Sequence, residues 1–223
     1  MNLQELKKSF DIVVSLGASC LPTYHLKRRN LRTFSGPFDW VLSPSLSDVN
    51  RLLKNRMQDL MELENMTLIQ GSQYNLLNDN SEEQGGHSTY EIKDTLYNIT
   101  SVHDFPVVPD GNWSINYPEY KEKLNRRINR FLEKIKNSNS ILFVRTIASY
   151  EETVTLKSVL SELTDKNFNI LIVNLEMGLK NVMEQNWDID GVCSLKSPHH
   201  QVVWYGDETA WDYILDGIKV NES

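Results

Sequence analysis

Two cysteines, Cys20 and Cys193, are all that the 223 residues contain. A small secreted domain stapled by disulfides carries more, so a disulfide scaffold is excluded and the thiols are expected to be free. No apolar run approaches the roughly 20 residues that a membrane span needs. Residues 1–9 are polar and charged, so no signal peptide is read there. Positive charge is in short supply: 23 Lys+Arg against 30 Asp+Glu leave a formal net charge of −7. That balance argues against broad binding to nucleic acid or to an anionic membrane. Neither Cys-x-x-Cys nor His-x-x-x-His occurs, so no metal site is expected. The segment Gly17-Ala18-Ser19-Cys20 lacks the later glycines of a dinucleotide fingerprint and the lysine of a P-loop, so no cofactor is expected either. What remains is a reduced, cytoplasmic protein with a small-molecule, peptide or acyl substrate and no nucleic-acid or membrane partner.

Hydrophobic residues make up 40% of the chain, enough for a core in a single domain of this length. The apolar runs around 11–16, 140–146 and 168–175 read as buried strands. Helices are expected at 21–30, at 45–57 behind a Ser45 cap, at 118–135 and at 151–163. Tyr120, Leu124, Ile128, Phe131, Leu132 and Ile135 recur at three- and four-residue spacing and make the third of these clearly amphipathic. A short helix near 179–185, strands near 192–195 and 202–205 and a closing helix at 208–218 complete the pattern. Helices alternating with continuous apolar strands predict an α/β fold, a three-layer α/β/α arrangement with a mostly parallel sheet. The stretch 61–118 breaks the pattern and is expected to form an irregular insertion or lid within one domain covering residues 1–223.

Cys20 sits between the end of the first strand and a helix that carries Pro22 in its first turn. Free backbone N–H groups and the positive end of the helix dipole meet there, an arrangement that favours a thiolate nucleophile. The Gly17-Ala18-Ser19 turn allows a close backbone approach to a substrate. A thiol nucleophile needs a base, and five histidines offer themselves. His25 lies about 140° round the helix axis from Cys20 and is a poor partner. His87 falls in a glycine-rich stretch. His103, His199 and His200 stay open. Adjacent strand residues point to opposite faces, so Asp104 is not expected to orient His103 directly, and Asp39 or Asp207 would have to. Trp40 is a candidate pocket floor and Arg145, at a strand end, a candidate anion binder. Each has a bland counterpart: a small core thiol, an aromatic under a loop, a structural ion pair. The basic clusters Lys27-Arg28-Arg29 with Arg32, and Arg126-Arg127 with Arg130, could each hold one anionic group of a ligand, but a solvated helix face is the commoner role for such a cluster.

The segments Ser15-Leu16-Gly17-Ala18-Ser19-Cys20, Leu31 through the Gly36-Pro37-Phe38-Asp39-Trp40 run, Val102-His103-Asp104-Phe105, Arg126-Arg127-Ile128-Asn129-Arg130-Phe131 and Leu142-Phe143-Val144-Arg145 resemble a bacterial family of papain-like cysteine peptidases, over about residues 10–215. The resemblance implies a Cys20 nucleophile and a His103 base, with Asp39 and Asp104 as carboxylate candidates. It also implies a papain-like α+β fold, against which the periodicity of the second half favours a three-layer layout with the nucleophile after strand 1. The expected function is a cysteine-dependent hydrolase or acyltransferase working through an acyl-thioester on Cys20. Gly17, Ser19, Trp40 and Arg145 are the expected substrate contacts. The alternative is a non-catalytic module that binds an anionic small molecule such as a sugar phosphate or nucleotide.

Overall fold

Ile141, Leu142, Phe143 and Val144 are all fully buried, which consecutive strand residues achieve only when both faces of their sheet are covered. The computed structural model, which describes residues 1–199 and 203–221 apart from the side chains of residues 70, 72 and 73, places them accordingly. The first half runs α1 (Leu3–Leu6), β1 (Ser9–Phe10), β2 (Ile12–Ser15), α2 (Leu21–Arg28), β3 (Val41–Leu42) and α3 (Leu46–Lys54), then β4 (Met66–Leu77), β5 (Glu83–Asp94) and β6 (Ile99–Pro106). The second half runs α4 (Tyr117–Asn137), β7 (Ser140–Thr146), α5 (Tyr150–Leu163), β8 (Asn167–Met177), β9 (Met183–Gln185), β10 (Val192–His199), α6 (Glu208–Leu215) and β11 (Lys219–Val220).

The main sheet has the order β2-β7-β8-β10-β9. Its first four strands are parallel and β9 is antiparallel. Residue alternation sorts the two faces. Ile12, Val14, Ile141, Phe143, Ile170 and Ile172 pack with α3, α4 and α5. Val13, Leu142, Val144, Leu171 and Val173 pack with α2 and α6. The fold is therefore α/β in three layers, with Cys20 directly after the first strand of the parallel sheet.

The stretch expected to be irregular forms a second, antiparallel sheet of order β3-β6-β5-β4. Bulges hide it from a period-two reading. Tyr90 pairs with Phe105 and Ile92 with Ser101, so the single residue Glu91 faces the three residues 102–104. β4 and β5 slip register three times. Bulges of this kind bend a strand and re-aim its side chains. Two smaller expectations also change. Residues 183–185 form an edge strand rather than part of a helix, because they pair antiparallel with the open edge of β10. The strand expected at 202–205 begins outside the described residues, and Val203 to Gly206 closes a turn.

Burial of His25 links the fold to pH. Its ring stacks on Trp211 at 4.6 Å, and Nε2 donates to the Tyr205 carbonyl at 2.8 Å. Desolvation dominates and pushes its pKa down to about 4. The folded state thus refuses a proton that the unfolded chain accepts near pH 6.5. Stability from this residue is complete above pH 6.5 and is lost as pH falls toward 4, by at most about 3 kcal/mol. Urea titrations between pH 7 and pH 4 should show this loss, with proton uptake on unfolding.

Candidate active site

Glycine at position 17 is required twice over. Its φ is +78°, and a Cβ there would stand 2.7 Å from Ser43 Oγ and 3.6 Å from an Arg145 guanidinium nitrogen. Ala18 follows in the same left-handed region at φ +86°. This double turn swings the chain from the end of β2 into α2, with Cys20 at the helix N-cap. Ser43 holds the turn: its Oγ accepts from the Ala18 N–H at 3.1 Å, and its own N–H donates to the Ala18 carbonyl at 3.0 Å.

Beneath the turn lies Arg145, fully buried. It donates to the Leu16 carbonyl at 2.7 Å and to Ser43 Oγ and carbonyl at 2.9 and 2.5 Å. Desolvation lowers its pKa to about 10, so it stays charged at neutral pH. Arg145 does not line the cavity at Cys20 and is placed as an anchor for the loop rather than as a substrate contact. Gly17 likewise shapes the turn from behind, whereas Ser19 and Trp40 do line the cavity.

His103 rides on the bulge in β6. Its Nε2 is 3.7 Å from Cys20 Sγ, and its Nδ1 is 2.6 Å from the backbone carbonyl of Asn75 on β4. A carbonyl only accepts, so the Nδ1 atom carries the hydrogen and Nε2 presents its lone pair to the thiol. Tyr74 and Trp40 pack edge-on against the imidazole at 5.2 and 6.0 Å. The carboxylates lie elsewhere. Asp39 accepts from Arg32 Nε at 2.8 Å, the Gly36 N–H at 2.9 Å and Thr23 Oγ1 at 3.1 Å. It pins the Gly36-to-Trp40 turn against α2. Asp104 points away from the cavity to Lys123 at 2.7 Å, Ser101 at 2.6 Å and Arg127 at 3.6 Å. Those cations hold its pKa down at about 2 against the cost of burial. Among the described residues, the group bonded to His103 Nδ1 is a backbone carbonyl and neither of these carboxylates.

The other histidines separate cleanly. His25 is occupied on the α6 side, His87 is exposed and His199 ends β10. His200 lies outside the described residues.

Electrostatics reverse one expectation. Cys20 is only 6% exposed, and desolvation raises its thiol to about 12, with Asp39 and Asp104 adding in the same sense. The Cys20 backbone N–H acts in the opposite sense without prevailing. Burial also lowers the pKa of His103. The resting pair is thus a neutral thiol facing a neutral imidazole, not a thiolate–imidazolium pair.

A cavity of about 900 Å³ opens on the sulfur. Tyr24, Trp40, Leu42, Tyr74, Leu77 and Trp204 form its apolar wall, and Lys27, Arg28 and Glu83 also line it. The tip of the β4–β5 hairpin roofs it. Ser81 accepts from Trp40 Nε1 at 2.6 Å and from Lys27 Nζ at 2.8 Å, while Asp79 accepts from Arg127 at 2.8 Å and from Ser35 Oγ. The remaining arginines of the two basic clusters are also engaged: Arg28 and Arg29 with Asp212, Arg32 with Asp39, Arg126 with Glu122. The Tyr74, Asn75 and Leu77 contributions lacked any sequence signal, because β4 reaches Cys20 through its irregular pairing. Among the described residues no cluster of His, Cys, Asp and Glu is arranged to hold a metal, and no helix is long and apolar enough to cross a membrane.

A cysteine and a histidine meeting over a cavity at the end of the first parallel strand fit the general class of cysteine hydrolases. The chain belongs to the family described as "Putative papain-like cysteine peptidase", whose model matches residues 11–178, more than half of its length. It is also similar to the uncharacterized protein R408 of Acanthamoeba polyphaga mimivirus, at 27% identity over 173 residues, 73% of this chain and 78% of that one. No solved structure matches it.

Proposed function

We propose that the protein is a cysteine hydrolase or acyltransferase that forms an acyl-thioester on Cys20 with His103 as its base. The observation that carries this reading is the pairing of Sγ with Nε2 at 3.7 Å while Nδ1 is held by the Asn75 carbonyl. In the first step the Cys20 proton passes to Nε2 as sulfur bonds to the acyl carbon. The imidazolium then returns that proton to the leaving group as its bond to carbon breaks. Water or a second nucleophile, deprotonated by the same Nε2, releases the acyl group. Because the resting pair is neutral, proton transfer accompanies attack, as in serine hydrolases, instead of preceding it. A reducing, cytoplasmic setting belongs to the proposal, since both cysteines are free. The alternative of an anion-binding module would have to use Lys27 and Arg28, which line the cavity; Lys27 donates to the Ser81 carbonyl and Arg28 pairs with Asp212, and Arg145, Arg126 and Arg127 are committed elsewhere.

The test is site-selective alkylation. Iodoacetamide at pH 7.5 should modify Cys20 in the native protein and spare Cys193, which is 1% exposed in the core, as read by peptide mass spectrometry. If Cys20 resists alkylation until the protein is denatured, the reading fails.

A further inference from the structure

The cavity around Cys20 carries information about what is acylated onto it. An acyl group bonded to Sγ has to lie against the side chains that surround the sulfur. Those are Tyr24, Trp40, Leu42, Tyr74, Leu77 and Val102, which pack with Cys20, while Lys27, Arg28, Glu83 and Trp204 also line the cavity. At about 900 Å³ the space is near the upper end of the range for pockets that enclose a whole small molecule.

A polypeptide substrate makes a different demand. Each of its amides needs a partner when buried, and an unpaired amide costs about 1–3 kcal/mol. Peptide-binding clefts therefore offer a row of free backbone groups, commonly a strand edge. Here three backbone carbonyls around the thiol are already in use, while the Cys20 N–H faces the sulfur. The Asn75 carbonyl holds His103, the Ser81 carbonyl holds Lys27, and the Val102 carbonyl accepts from Thr89 Oγ1.

We infer that the acyl donor carries a large hydrocarbon or aryl acyl group. This rests on the reading of Cys20 as the acylated nucleophile and names its substrate class. The thiol proton passes to His103, sulfur bonds to the acyl carbon, and the alcohol, amine or thiol of the donor leaves with that proton. The hydrocarbon then occupies the aromatic cavity. Burying a methylene is worth about 0.8 kcal/mol, so each added carbon raises kcat/KM by up to about fourfold until the cavity is full.

The experiment compares three esters with one leaving group: p-nitrophenyl butanoate, p-nitrophenyl decanoate and the p-nitrophenyl ester of a blocked tetrapeptide. The full chain is used, and the Cys20→Ala protein provides the blank. The expected result is Cys20-dependent release with kcat/KM at least about tenfold higher for decanoate than for butanoate, and with the tetrapeptide ester the poorest of the three. Cys20-dependent release that is flat with chain length, or fastest for the tetrapeptide, overturns the substrate class and leaves the nucleophile standing. Release from no ester above the blank overturns both.

Discussion

Replacing His103 with alanine should slow acylation of Cys20 by about 10²–10⁴-fold, the range in which a positioned general base contributes. The effect is expected to be large because the thiol is held up at about 12 by burial, so at neutral pH almost none of it ionises unaided. A pH series separates this from a trivial loss of structure. His103 works as a base only while neutral, and burial lowers its pKa below 6.5. In the native protein the alkylation or acylation rate should therefore rise as pH increases through that lowered value and then level off across the neutral range. In His103→Ala the rate should climb continuously with pH, following the thiolate fraction toward pH 12. A plateau retained in the variant would assign the base elsewhere. A native rate that tracks thiolate alone would mean that the 3.7 Å contact does no proton transfer.

Arg145→Met should lower stability by about 3 kcal/mol, since it leaves the Leu16 and Ser43 carbonyls and Ser43 Oγ buried without their donor. Relief of the buried charge offsets part of a larger sum. For a domain of this size that corresponds to a fall in Tm of about 6–12 °C, measurable by calorimetry. Arg145→Lys should recover little, because a single ammonium cannot reach both the Leu16 and the Ser43 oxygens as the planar fork does. Iodoacetamide labelling of Cys20 should slow in the same variants at temperatures where they remain folded, because Gly17 and Ala18 lose the support that sets the entry into α2. An Arg145→Met protein as stable as the native one would show that the turn holds without the guanidinium.

Much of this was legible in the chain. The apolar strands, the cap at Ser45, the helix built on Tyr120, Leu124, Ile128 and Phe131, and the position of Cys20 at a strand-to-helix turn all rest on local periodicity and capping, which a single sequence displays. Two features were misread for physical reasons. Bulges in β5 and β6 destroy the period-two pattern, so a regular sheet looked like an irregular insertion. The charge state of Cys20 depends on burial, which no motif reports: the helix terminus favours a thiolate locally, and desolvation by distant residues outweighs it.

The sequence by itself determined the layered α/β plan and the site of the thiol, because both arise from residues close together in the chain. The family resemblance pointed to His103, but tertiary structure alone set its Nε2 against the thiol and decided what orients it. Cys20 and His103 are 83 positions apart, and the Asn75 carbonyl comes from a third strand. A backbone carbonyl is present at every residue, so its role as the group that fixes the His103 tautomer carries no sequence signature. Only the fold, by bringing β4 and β6 to the end of β2, selects it. The same reasoning moves Asp39, Asp104 and Arg145 from expected chemistry to support: their charges are spent on holding the turns that place Cys20, His103 and Trp40 around one cavity.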